Sequence, residues 1–331
     1  MKNFELQNPD SLEQAAGALA GPASWAEADA LPLAGGQDLL TELKEHLVEP
    51  ERLVNLKGIP GLRGVGIAPS GEVRIGALTT VAELARNEFL RERCPVLCEA
   101  AEGVASPQIR TLATVGGNLC QRPRCWYYRN EQTVCLKKGG TECFSYGGMS
   151  KYNAVLGGGP SYIVHPSDLA PALIALDATV RVQGAEEARA MPLQDFFTLP
   201  TEGDVTRENV LAPGELVTRV DVPARRGWRS TYLKFMEKDG FDFALSAVAL
   251  ALRMDGGRVA EARLCLGGVA PVPWRCRSTE ELLVGRRLDA GTARMAAEDA
   301  LRGAEPLDHN AYKIPLTQGL VRRALKKLAE A

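Results

Sequence analysis

The sequence lacks the features of several common protein classes. Aromatic residues make up only 6% of its 331 residues, and the formal net charge is −2. A nucleic-acid-binding surface needs a basic patch or stacking side chains, so both values argue against one. No apolar run approaches the roughly 20 residues that a membrane-spanning helix needs. We therefore expect neither a nucleic-acid partner nor a membrane partner.

Histidine is rare, and the first residues carry no recognisable targeting signal. The three histidines are His46, His165 and His309, and nothing in the sequence indicates that they converge on a metal. The first thirty residues lack the basic and apolar regions of a secretion signal. We therefore expect a cytoplasmic protein with reduced cysteines.

What the sequence does contain is a dense group of cysteines. Four of its eight cysteines fall within 24 residues, spaced C-x4-C-x9-C-x7-C. A [4Fe–4S] cluster takes four thiolates and accepts wide ligand spacing, whereas zinc sites usually pair cysteines in tighter motifs. The spacing favours a cluster, with zinc and unligated thiols as alternatives. The candidate ligands are Cys120, Cys125, Cys135 and Cys143.

Basic residues surround these cysteines and outnumber the acidic Glu131 and Glu142. They are Arg122, Arg124, Arg129, Lys137, Lys138 and Lys151. A cluster held by four thiolates carries a net negative charge, which nearby cations would offset. The local charge therefore also favours a cluster.

Two Gly-Gly turns each follow an extended segment. The first is Ala34-Gly35-Gly36-Gln37-Asp38-Leu39, and the second is Thr114-Val115-Gly116-Gly117-Asn118. Unpaired backbone N–H groups at such turns suit phosphate, so the pair could bind two parts of one diphosphate ligand. Neither turn fits the G-x-G-x-x-G motif of a Rossmann dinucleotide site.

The remaining pattern alternates helices and strands. Thr80 opens a capped helix predicted to run to about Arg93. Ser167 or Asp168 caps an apolar helix, and a capping role alone would explain Asp168. Strands are predicted at Tyr162–His165, 179–183 and 216–222, and hairpins within 65–75 and 246–266.

Several motifs in order give the chain a family resemblance. To the two glycine turns are added His165–Pro171, Lys234 followed by Asp242–Ala244, and Leu266–Pro271. Together they resemble the FAD-binding (medium) subunit of the xanthine dehydrogenase family of molybdenum hydroxylases, over nearly the full length. The four cysteines and Asn310–Lys313 are similar to the subgroup with an extra [4Fe–4S] cluster. That subgroup includes the 4-hydroxybenzoyl-CoA reductase β subunit and certain bacterial aldehyde oxidoreductases.

The resemblance implies an α+β fold of the vanillyl-alcohol-oxidase type. Its FAD-binding domain would span residues 1–225, as two α/β subdomains with an inserted Fe–S loop at 119–152. A C-terminal flavoprotein domain, an antiparallel sheet with helices, would span residues 226–331.

The resemblance also implies an FAD site. Both glycine turns would bind the diphosphate, Ser167 and Asp168 the ribityl or ring side, and Lys234 would stabilise negative charge on the reduced flavin. Lys238 stands where the family often has arginine, which puts a bidentate contact there in doubt. The implied FAD-binding residues are Ala34, Gly35, Gly36, Gln37, Asp38, Leu39, Ile109, Thr114, Gly116, Gly117, Asn118, Ser167, Asp168 and Lys234.

By the same resemblance, the chain transfers electrons and has no catalytic residue for an organic substrate. Its partners would be a molybdenum-pterin large subunit and a small [2Fe–2S] subunit, with ferredoxin or NAD as an electron partner. Two alternatives stay open: a stand-alone FAD oxidoreductase of the same fold, and a zinc-stapled, non-catalytic interaction module.

Overall fold

The chain begins with a small parallel sheet. The computed structural model describes residues 1–21, 25–238 and 240–330. The first strands pair in the order β1-β3-β2, all parallel, which places the loop after β2 at one end of the sheet. The elements are β1 (Glu5–Gln7), α1 (Leu12–Ala18), β2 (Ala30–Leu33), α2 (Leu39–Lys44) and β3 (Arg52–Asn55).

A second, antiparallel sheet of five strands follows, in the order β4-β5-β8-β6-β7. Short helices separate its second and third strands in sequence. Its elements are β4 (Val65–Ile67), β5 (Val73–Gly76), α3 (Val81–Ala85), α4 (Glu88–Arg93), α5 (Pro95–Glu102), α6 (Pro107–Leu112), α7 (Val115–Leu119), α8 (Leu169–Ala175), β6 (Thr179–Gln183), β7 (Ala188–Pro192) and β8 (Leu216–Val222).

The C-terminal part is a four-stranded antiparallel sheet covered by helices, in the order β12-β11-β10-β9. None of the helices within the described ranges combines the length and apolarity of a membrane span. The elements are β9 (Trp228–Phe235), β10 (Ser246–Asp255), β11 (Arg258–Gly267), β12 (Trp274–Arg275), α9 (Arg277–Leu283), α10 (Ala290–Ala300) and α11 (Lys313–Glu330).

One apolar core joins the second and third sheets. Leu97 of α5 and Leu173 of α8 lie in the same buried cluster as Val220 of β8 and Ala249 of β10. The carboxylate of Asp177, just after α8, also binds three arginines from the C-terminal side: Arg225, Arg263 and Arg275. The mixed architecture with antiparallel sheets and helices confirms the predicted α+β fold.

Local sequence signals located most elements but not every boundary. The strands at 179–183 and 216–222 were predicted with their observed bounds. Thr80 forms a full capping box, since its hydroxyl accepts from the Glu83 N–H and its own N–H donates to the Glu83 carboxylate. The helix ends at Ala85 rather than near Arg93, because Asn87 caps a separate helix, α4.

The strand predicted at Tyr162–His165 is wrong. The backbone hydrogen bonds of these residues lead to different partners. The Tyr162 carbonyl accepts from the Ala154 N–H, and the His165 N–H donates to the Ala270 carbonyl. Without one neighbouring strand, an extended segment forms no ladder.

Residues 120–152, called the cysteine segment below, contain no strand and only a short 3-10 helix at Leu136–Lys138. Side chains from Asn310, just before α11, and from Lys313, its first residue, hold the chain at and just after the C-terminal end of the segment. The Asn310 amide donates to the carbonyls of Asn153 (3.1 Å) and Ala154 (3.0 Å). The Lys313 ammonium donates to the carbonyls of Tyr152 (2.9 Å) and Gly268 (2.7 Å). The Asn310–Lys313 motif therefore fixes the segment to the C-terminal part.

Lys313 should make stability depend on pH. Burial lowers its pKa from 10.5 to about 7, so between these values the unfolded chain binds the extra proton. Stability therefore rises with pH in this window, by at most about 1.4 kcal/mol per pH unit. Denaturant unfolding at pH 7, 8 and 9 should show wild type gaining stability relative to Lys313→Met. Lys326→Met, whose side chain on the same helix is 75% exposed, should behave as wild type; equal slopes for all three would contradict the expectation.

Candidate functional site

A cavity of about 580 Å³ opens beside the two glycine turns. The residues implied as FAD-binding all line it except Ser167. They come from the turn after β2, from α6 and α7, from the start of α8 and from β9. Segments far apart in sequence are therefore brought to one concave surface, as expected of a cofactor site.

The first turn requires both of its glycines. A Cβ on Gly35 would stand 2.0 Å from the Leu112 carbonyl oxygen, and Gly36 has φ +72°. A side chain at Gly35 would separate this turn from the backbone that leads into the second turn. A side chain at Gly36 would be strained by its left-handed conformation.

The backbone N–H groups of residues 35–39 have no hydrogen-bond partner within the described ranges. The surrounding bonds begin later, where the Leu40 N–H donates to the Gly36 carbonyl and the Thr41 N–H to the Asp38 carbonyl. Consecutive unpaired N–H groups on a cavity wall suit the oxygens of a diphosphate. The first turn therefore offers the donors that the sequence predicts.

The second predicted turn is instead the start of helix α7, with Thr114 as its N-cap, and its N–H groups are already used. Val115 donates to the Thr79 carbonyl (2.9 Å) and Gly116 to the Ala77 carbonyl (2.8 Å). Gly117 donates to the Thr114 hydroxyl (3.2 Å). This turn gives the cavity a close, flat wall, and its predicted contact with the diphosphate stays a prediction.

Ser167 is tied up in the fold at the start of α8. Its hydroxyl donates to the Asn118 side-chain carbonyl (2.6 Å) and accepts from the Ala170 N–H (2.9 Å). Ser167 therefore caps the helix and connects it to α7, while Asp168 makes no side-chain cap. The structure thus decides between the two capping residues that the sequence left open.

Asp168 instead holds a cation at the cavity wall. The Lys234 ammonium donates to the Asp168 carboxylate (2.9 Å) and to the Gly103 carbonyl (2.8 Å). The Tyr232 hydroxyl donates to the other carboxylate oxygen (2.6 Å), and burial raises the pKa of Tyr232 well above its usual range. An ammonium has three protons, so one proton of Lys234 is left for a ligand.

The four candidate cysteine ligands do not share one environment. Cys120 ends α7 and lines the cavity, and burial raises the pKa of its thiol to about 12. Burial also raises the pKa of Cys125 and that of Cys135. The charge of Cys143 further raises the pKa of Cys125, and the charge of Cys125 further raises that of Cys135. Within the described ranges, no three metal-binding side chains stand close enough for a metal ion.

Most cations of the cysteine segment have carboxylate partners. Glu208 binds both Arg122 and Lys137, the latter at 2.6 Å. Asp38 binds Arg124 (2.9 Å) and Arg129 (2.7 Å), and Glu237 binds Lys151 (2.5 Å). The cationic excess that the sequence suggests is therefore largely offset by acidic residues outside the segment.

Sequence reasoning missed several residues that line the cavity. The guanidinium of Arg124 stacks 4.9 Å from the ring centroid of Phe243. The indole N–H of Trp25 donates to the buried Glu42 carboxylate (2.8 Å). Burial raises the pKa of Glu42, and the charge of Asp38 raises it further. Arg122 and Arg124 carried a signal as basic neighbours of the cysteines, and Phe243 as part of the Asp242–Ala244 motif, but none was predicted to line the cavity. The missed lining residues include Trp25, Arg122, Arg124, Arg207, Phe241 and Phe243.

These features fit FAD as the ligand of the cavity. The first turn supplies unpaired N–H groups for a diphosphate, and Gly35 keeps both turns in contact. Lys234 supplies a fixed positive charge elsewhere on the same wall. Apolar side chains such as Leu31, Leu56 and Val104 complete the lining, as a flat aromatic ligand requires.

Comparisons with known proteins agree with this fit. The family model for the FAD binding domain in molybdopterin dehydrogenase matches residues 2–225. The model for the CO dehydrogenase flavoprotein C-terminal domain matches residues 231–328. Together they cover nearly the whole chain.

Individual relatives align with this chain over almost their full lengths. The aldehyde oxidoreductase FAD-binding subunit PaoB of Escherichia coli K12 is 35% identical over 303 residues, 90% of either chain. The carbon monoxide dehydrogenase medium chain of Hydrogenophaga pseudoflava is 29% identical, covering 97% of this chain and 96% of the relative. A solved structure of reconstituted CO dehydrogenase from Oligotropha carboxidovorans superposes with a TM-score of 0.77 at 26% identity, covering 99% and 98%. The chain belongs to the family of FAD-binding medium subunits of xanthine dehydrogenase- and CO dehydrogenase-type oxidoreductases.

Proposed function

We propose that this FAD subunit passes electrons between FAD and a [4Fe–4S] cluster in a molybdenum hydroxylase-type complex. The observation that carries the proposal is the position of the cysteine segment. It begins in the cavity wall, where Cys120 and Arg124 are lining residues. A redox centre bound by this segment would lie beside the flavin, as electron transfer requires.

The first turn binds the FAD diphosphate through the N–H groups of residues 35–39, and Gly116 and Gly117 give the opposite wall its close fit. FAD, when bound, exchanges two electrons and couples them to one-electron carriers. Lys234 is held by Asp168 and the Gly103 carbonyl, so its remaining proton points a positive charge at the reduced ring. Asp168 acts through Lys234 and is a positioning residue.

The cluster ligands in this proposal are Cys120, Cys125, Cys135 and Cys143. Cys125, Cys135 and Cys143 follow one another within the cysteine segment at the spacing C-x9-C-x7-C. Cys120 is the fourth because it starts the segment and stands in the cavity wall. A cluster bound in this way would have one of its ligands, Cys120, in the wall of the flavin cavity.

The proposed partners supply the other redox centres. A molybdenum-pterin large subunit would act on the organic substrate, and a small subunit would carry [2Fe–2S] clusters, since the cysteine pattern of neither is present here. We favour ferredoxin over NAD as the electron carrier. We also propose that the complex is cytoplasmic. Exposed apolar side chains on the cysteine segment, including Trp126 (61% exposed) and Tyr146 (67%), support a protein contact there.

The chain purified without oxygen should contain flavin and about four irons per chain. We expect flavin absorption bands with a broad shoulder in the visible. Iron and zinc are quantified on the same sample. Flavin with one zinc and no iron would leave an FAD subunit with a metal-stapled segment, and folded protein without flavin would overturn the proposal.

Serine substitutions should assign the ligands. Cys125→Ser should lose the iron while the flavin stays bound, because a thiolate ligand is replaced by a weaker one. Cys94→Ser is the matched control, since Cys94 is buried in the core near α5, outside the segment. Cys120→Ser tests the fourth ligand, and unchanged iron in that variant would remove Cys120 from the set.

Removing the charge of Lys234 should lower the flavin potential. A charge-assisted hydrogen bond of about 1.5–3 kcal/mol corresponds to roughly 30–60 mV for a two-electron couple. Spectroelectrochemical titration should show this decrease in Lys234→Gln and a smaller one in Lys234→Arg. Lys238→Gln, an exposed lysine four residues later, should keep the wild-type potential. An unchanged potential in Lys234→Gln would place Lys234 outside the flavin site.

A further inference from the structure

We propose that Arg124 of the cysteine segment binds the FAD diphosphate and so makes FAD affinity depend on that segment. The inference rests on FAD binding in the cavity and does not require a cluster. It assigns a positioning role to a residue that is outside both glycine turns.

Arg124 stands where three parts of the chain meet. Its guanidinium contacts the Asp38 carboxylate of the first turn (2.9 Å) and stacks on Phe243 from the loop between β9 and β10 (4.9 Å). Its side chain is 23% exposed and lines the cavity. The side chain is thus held between the first turn and the C-terminal part, facing the ligand volume.

The hydrogen-bonding capacity of Arg124 is only partly used. Its Nε is buried and has no partner within the described ranges. The Asp38 carboxylate that it contacts also accepts from the Arg122 backbone N–H (2.6 Å) and the Arg129 guanidinium (2.7 Å). Because Nε is buried, a contact with a ligand in the cavity must come from the terminal nitrogens of the guanidinium, which belong to a side chain that is 23% exposed.

The diphosphate needs a countercharge at the first turn. In the second turn, the N–H groups of Val115, Gly116 and Gly117 already donate to acceptors within the protein. A diphosphate oxygen would accept from the terminal nitrogens of Arg124 and offset its positive charge, as phosphate commonly does with guanidinium groups.

The other cations that line the cavity are placed differently. Arg122 is bound to the buried Glu208, and Lys234 to Asp168. Within the described ranges, Arg207 forms no salt bridge with Asp38, whose partners are Arg124 and Arg129. Arg124 is therefore the cation that stands at the first turn.

A consequence is that displacing the cysteine segment would withdraw a cation from the FAD site. The segment has no sheet to hold it, and its N-terminal half is attached through Asp38 and Glu208. Any change that disorders the segment would weaken FAD binding without touching a glycine turn.

The test measures binding of FAD, and of ADP as a probe with the diphosphate but no flavin, to the flavin-free full chain by calorimetry. Arg124→Gln should weaken FAD binding about tenfold or more, as expected for one charged hydrogen bond, and should weaken ADP binding by a similar factor. Arg124→Lys should fall between wild type and Arg124→Gln, because it keeps the charge and loses the fork.

Arg129→Gln is the matched control. Arg129 belongs to the same segment and contacts the same Asp38 oxygen, but it is not a lining residue of the cavity. Without Arg129, Asp38 keeps its contacts with the Arg122 N–H and with Arg124, so the segment stays attached. FAD affinity should therefore remain within about threefold of wild type, a difference of about 0.7 kcal/mol. An equal loss in Arg129→Gln would overturn the inference, because the Asp38 arrangement alone would explain both results.

Two further results would also overturn it. Arg124→Gln with wild-type FAD affinity would show that the side chain does not contact the cofactor. Weakened FAD binding with unchanged ADP binding would move the contact from the diphosphate to the flavin. Failure of the wild-type chain to bind FAD is a separate outcome that counts against the proposed function itself. Melting temperatures of all variants distinguish a lost contact from misfolding.

Discussion

The carboxylate of Asp38 holds the cysteine segment against the first glycine turn. It accepts from the Arg122 backbone and from the guanidinium groups of Arg124 and Arg129. The segment has no sheet or long helix of its own, so such side-chain contacts replace a backbone ladder. Removing one partner of a buried ion pair destabilises a protein by more than forming the pair stabilises it, because the remaining charge is left buried without a partner. The position of the segment therefore depends on one acidic residue of the turn that also forms the cofactor cavity.

Sequence motifs located the cavity well because they report local backbone conformation. Gly35 and Gly36 predict a tight turn, and the structure shows a contact at one and a left-handed φ at the other. The motif at 114–118 predicts a turn but forms the start of helix α7, with Thr114 as its N-cap. It does not reveal that Val115 and Gly116 bond to carbonyls of Thr79 and Ala77. Those partners lie more than thirty residues earlier, and only the tertiary fold brings them to the turn.

Charge counting along the chain was the weaker guide. The segment itself is rich in arginine and lysine, which suggested a cationic shell. Its neutralising carboxylates are Asp38, Glu208 and Glu237, all outside it. The strand predicted at 162–165 is wrong for a similar reason, since a strand exists only where a neighbour pairs with it. Properties that depend on partners distant in sequence could not be derived from local composition.

The cysteine segment is fixed at both ends by residues outside it, Asp38 at one end and Asn310 with Lys313 at the other. Without the segment, the Lys313 side chain would keep the Gly268 carbonyl and lose the Tyr152 carbonyl as an acceptor, which is costly for a buried polar group. Lys313 would therefore be gained and lost together with Cys125, Cys135 and Cys143 during the divergence of the family, although it is far from the cysteines in sequence.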